Sequence, residues 1–126
     1  MIRECGRYEN LVGVSLEVYP TATEGHPLTI EAYAQDISIG GIRLVLDGKD
    51  AALPTLISSY RKTLLNTRAR VGLPGEKLSL KIAGNIVWCR PVCADDKQTL
   101  ALGIRFEDMS PKLRGMFFGF VEGFGT

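Results

Sequence analysis

The chain has 126 residues, 45% apolar and 23% charged, which is enough to close one hydrophobic core and matches a single domain spanning 1–126. Fifteen Lys and Arg against 14 Asp and Glu leave a net charge of +1, so a broad DNA or RNA surface and a polybasic membrane anchor are both disfavoured. No apolar run approaches the roughly 18 residues of a membrane span. The first dozen residues lack the apolar core of a signal peptide, and the expected location is cytoplasmic, without membrane insertion.

Val12, Val14, Leu16 and Val18 alternate with Gly13, Ser15 and Glu17, the period of a strand with one buried face, and predict a first strand over about 11–19. The turn formers of Pro20 to Pro27 follow, and Leu28, Ile30, Ala32 and Ala34 then repeat the alternation. Asp36 to Gly41 interrupts it, and Ile42, Leu44 and Leu46 resume it, so strands two and three form a hairpin with DISIGG as its turn. Asp50 and Pro54 are helix-start signals. Leu53, Ile57, Tyr60 and Leu64 recur at helical spacing, which predicts an inserted helix over about 53–65. Its apolar stripe is expected to pack on the rest of the domain, the alternative being a partner surface or a homodimer contact.

Thr67 to Leu73 and Lys77 to Arg90 flank the turn dipeptide Pro74-Gly75, with Gly84 expected to mark a bulge or bend. After a polar loop, Leu100, Leu102, Ile104 and Phe106 predict a last strand. Ser110-Pro111 opens a closing helix, Ser as N-cap and Pro at the first helical position, with Leu113, Phe117, Phe120, Val121 and Phe124 on its apolar face. Six alternating strands and a terminal helix indicate an all-β fold with minor α: a small six-stranded antiparallel β-barrel whose closure removes exposed edges.

Catalytic chemistry finds little support. Cys5, Cys89 and Cys93 match no common zinc spacing, His26 is the single histidine, and nothing in the sequence poises a thiol as a nucleophile; three buried or idle thiols and a non-enzyme are expected.

Two patterns suit ligand binding instead. In Arg3-Glu-Cys-Gly-Arg7, two guanidinium forks four residues apart can converge on phosphate oxygens or on the O6/N7 edge of guanine. That spacing arises by chance ~0.6 times in a chain with this arginine content. In Asp36-Ile-Ser38-Ile-Gly-Gly41, a pattern expected only ~0.03 times by chance, a carboxylate can accept two N–H bonds from guanine. Ser38 adds a hydroxyl, and Gly41 allows close backbone approach. A hairpin also uses Asp, Ser and Gly for its own turn. The carboxylate penalises plain anions and favours a ligand that brings donors of its own.

In this order the two motifs resemble the PilZ domain family of bacterial cyclic di-GMP receptors. The likeness continues through Gly84-Asn-Ile-Val-Trp88 and Gly103-Ile-Arg-Phe106 to the closing helix. The resemblance implies a PilZ-type barrel binding cyclic di-GMP on its outer face, with no other cofactor. Arg3 and Arg7 would hold phosphate and guanine edges, and Asp36, Ser38 and Gly41 the other side of a guanine. Trp88 would flank a base, or else be a plain core tryptophan. Many members carry a basic residue just before RxxxR, linked to an intercalated ligand dimer. Ile2 stands there in this chain, so one nucleotide per chain is expected. Ligand binding is expected to order the loop of Arg3 and Arg7 and present a new surface to a partner protein. The alternative function is a PilZ-like adaptor that binds protein and no nucleotide.

Overall fold

The computed structural model of the protein describes residues 12–19, 28–60, 67–74, 80–94 and 97–124. Six strands, β1 (Val12–Tyr19), β2 (Leu28–Ser38), β3 (Gly41–Leu46), β4 (Arg68–Leu73), β5 (Leu80–Ala94) and β6 (Lys97–Phe106), close in the order β1-β2-β3-β6-β5-β4. Every pairing is antiparallel. Helix α1 (Leu53–Tyr60) lies between β3 and β4, and α2 (Pro111–Phe124) follows β6.

The alternating apolar residues turn inward. Leu16, Val18, Ala34, Leu44, Val71 and Leu102 are fully buried in one cluster, which also takes Leu53 and Leu56 from α1 and Phe117 from α2. Each fully buried Leu, Ile or Phe contributes about 1.5–3 kcal/mol of transfer free energy. Among the described residues Thr67 and Thr99 are the buried polar exceptions, and Thr99 shows how the cost is met. Its hydroxyl donates to the Leu46 carbonyl at 2.8 Å, which offsets its desolvation.

Both helix starts follow from their caps. Ala52 N–H donates to Asp50 Oδ1 at 2.8 Å before α1, and Leu113 N–H to Ser110 Oγ at 3.2 Å in α2. Three sequence expectations change. The stripe of α1 enters the core through Leu53 and Leu56, whereas Ile57 is exposed; residues 61–65 of the expected helix lie outside the described residues. Strand β5 runs through Pro91 to Ala94, because β4 pairs with β5 only as far as Asn85 and no ladder bond is needed on that side of Pro91. Gly84 marks no bulge: it pairs regularly with Ala69 and Phe106, where a Cβ would meet the Arg105 carbonyl. The cysteine reading is also corrected. Among the described residues Cys93 is disulfide-bonded and Cys89 is a free thiol, since pairing depends on proximity in the fold and leaves no mark in the spacing.

Candidate functional site

Two β-bulges build the site. Along β2 the even-numbered residues Ile30, Ala32 and Ala34 point inward, so unbroken alternation would bury Asp36. A register shift between Ala34 and Asp36 reverses the phase, leaving Asp36 and Ser38 exposed and Ile37 in the core. Strand β5 behaves the same way. Ile82 and Ile86 face inward, and a shift between Ile86 and Trp88 carries both Val87 and Trp88 to the outer face. One extra residue per strand re-aims everything that follows it.

Trp88 therefore lies outside the barrel, packed in a separate cluster with Val45, Ala101 and Val92. It is half-buried in that smaller cluster and not in the main core, because the inserted residue shifts the period-two alternation. The indole lies against Gly103, where a Cβ would strike Nε1, and the Arg90 guanidinium sits 5.5 Å from its ring centroid.

Asp36, Ser38, Gly41 and Trp88 together line an open concavity of about 330 Å³ on the outer wall, with Arg43 and Arg105 beside them. Gly41 faces Ser38 across the β2–β3 turn and Arg105 across the β3–β6 seam, and a Cβ there would meet the Ile104 carbonyl. The strands are too close at this point for a side chain. Ser38 Oγ donates to the Gly41 carbonyl at 3.4 Å, and Arg43 Nη2 donates to Asp36 Oδ2 at 2.9 Å. The turn is shorter than DISIGG: Ile39 and Gly40 form it, and Asp36 and Ser38 already belong to β2. Arg3 and Arg7 lie outside the described residues.

Arg43 and Arg105 escaped the sequence reading. Arg43 is seven residues from Asp36 in sequence, yet the two are directly opposite in the β2–β3 register, which a hairpin alignment through the bulge could have shown. Arg105 was present in the Gly103-Ile-Arg-Phe106 stretch without a role.

The described residues thus form an antiparallel six-stranded barrel with an open polar concavity on its wall and a helix packed on its core. The PilZ domain matches residues 2–123, and the chain belongs to that family. No curated protein matches it. Among solved structures, the barrel is similar to that in the crystal structure of the Borreliella burgdorferi PlzA protein in complex with c-di-GMP. The TM-score is 0.51 at 12% identity, covering 90% of this chain and 44% of that one. At that identity the likeness shows the fold.

Proposed function

We propose that the domain is a cyclic di-GMP receptor whose ligand sits in the concavity on the β2–β3–β6–β5 wall. One observation carries the reading. Asp36, Ser38, Gly41 and Trp88, drawn from three strands, meet around a single cavity, and each offers what a guanine nucleotide needs. The carboxylate accepts N–H donors, the hydroxyl and close backbone serve the polar edge, and the indole gives an apolar face. Family membership and the ligand named for the PlzA structure support the same nucleotide.

Arg3 and Arg7 supply the phosphate-binding forks, and their engagement orders the amino-terminal segment into a surface that a partner protein reads. One nucleotide per chain is bound, in the cytosol. The reaction is recognition alone, with no bond made or broken.

Isothermal titration tests this with cyclic di-GMP beside cyclic di-AMP. Binding of the guanine ligand only, at one per chain, is expected. Asp36→Ala should cost about 1–3 kcal/mol of cyclic di-GMP affinity, the range of a bidentate base contact. No heat with either ligand would reject the receptor reading in favour of a protein-binding adaptor.

A further inference from the structure

We propose that Arg43 is a guanine-reading residue that acts as one unit with Asp36: the carboxylate takes the N1–H and N2–H donors of the base, and the guanidinium donates to its O6. The inference rests on the cyclic di-GMP reading and adds the residue that would recognise the carbonyl.

The geometry is that of a cross-strand pair. Asp36 and Arg43 are register partners on β2 and β3, joined by a single hydrogen bond of 2.9 Å between Nη2 and Oδ2. That bond uses one of the five donors of the guanidinium and one of about four acceptor positions on the carboxylate. The side chains are 56% exposed for Arg43 and 59% for Asp36, and both line the concavity, so their unused capacity faces the space a ligand would enter. An ion pair this exposed adds little to stability, and fold maintenance is a weak reason for it.

The unused groups form an ordered row of acceptor and donor. The pairing edge of guanine presents the complementary row, the N2–H and N1–H donors followed by the O6 acceptor. Adenine offers an acceptor at N1, which would meet the carboxylate lone pairs, and a donor at N6, which would meet the guanidinium. Asp36 alone distinguishes a base with donors from one without. Asp36 with Arg43 reads all three atoms. The β2 bulge is what makes this possible, since it turns Asp36 out to the same face as Arg43.

The test uses three ligands, cyclic di-GMP, cyclic di-IMP, which lacks only the 2-amino group, and cyclic di-AMP, titrated into the whole chain at low salt and at ~0.5 M, where long-range charge attraction is screened. Arg43→Met should weaken cyclic di-GMP and cyclic di-IMP equally, by roughly tenfold at both salt concentrations, the size of one good base contact. Arg43→Lys, which keeps the charge next to Asp36, should restore part of the loss and report on folding. Asp36→Ala should weaken cyclic di-GMP more than cyclic di-IMP, because it alone faces the 2-amino group. If Arg43→Met binds cyclic di-GMP as well as wild type or better, Arg43 is only a competitor for Asp36 and the proposal is wrong. A loss that vanishes at high salt, or one that changes the ratio of cyclic di-GMP to cyclic di-IMP, overturns it too. Wild-type protein that takes up none of the three rejects the receptor reading itself, a result distinct from any obtained with the variants.

Discussion

On the wall away from the concavity, Tyr19 donates its hydroxyl to Glu17 Oε2 at 2.6 Å, Lys81 Nζ contacts Glu17 Oε1 at 3.2 Å, and the Arg70 guanidinium sits 5.7 Å from the Tyr19 ring centroid. The Tyr19 bond, helped by Lys81, outweighs partial burial and holds the Glu17 carboxyl below its ordinary value. The same bond pushes the Tyr19 phenol up. A depressed carboxylate stabilises the fold above its unfolded pKa and loses that contribution as pH falls through its folded pKa. A raised phenol contributes below its unfolded pKa and loses it as pH rises through the folded one. Tyr19→Phe should therefore cost stability on the neutral plateau, with the difference from wild type shrinking in acid below the carboxylate range and again in alkali above the phenol range. Urea unfolding at several pH values measures it, and a pH-independent difference would mean that packing, not the bond, is what the hydroxyl serves. Burial alone pushes the Cys89 thiol up.

At the level of elements, the bulges in β2 and β5 matter most, because they bring Asp36 and Ser38, and Trp88, to the outer face, where unbroken alternation would turn them toward the core. The outer position of Trp88 also depends on Gly103 of β6, which leaves room for the indole. Gly103→Ala should displace the ring. Since Trp88 is the single tryptophan of the chain, its fluorescence reports the change directly. A red-shifted emission and a stability loss of about 1–3 kcal/mol, typical of overpacking, are expected. An unchanged spectrum would show that the indole does not rest on Gly103.

At the scale of the molecule, closure of the barrel gives every strand two neighbours, and α2 seals the core around one fully buried residue. Phe117 is fully buried and meets Phe106 edge-on at 5.4 Å between ring centroids, with Leu113, Phe120 and Val121 packed around the same cluster. Met116 and Phe118 on the same helix stay exposed. Phe117→Ala should cost about 3–5 kcal/mol in denaturant titration, as a large cavity in a core that strands cannot easily collapse into, whereas Phe118→Ala should cost less than about 1 kcal/mol. Equal costs would mean that the helix does not plug the barrel through Phe117.

The six strands, both helices and the hairpin that carries Asp36 were legible from local patterns. Period-two alternation, caps such as Ser110-Pro111 and turn chemistry each act within a few residues, where sequence neighbours are also neighbours in space. A carboxylate, a hydroxyl and a glycine could be nominated from the Asp36–Gly41 pattern, and the indole only through the resemblance to the PilZ family. What the tertiary structure alone decided was which way they face and what stands next to them. The outward turn of Trp88, the pairing of Arg43 with Asp36 and the closeness of Gly103 to the indole all arise where strands distant in sequence come into register. A single extra residue reverses every side chain beyond it, and no alternation in the chain announces that residue in advance.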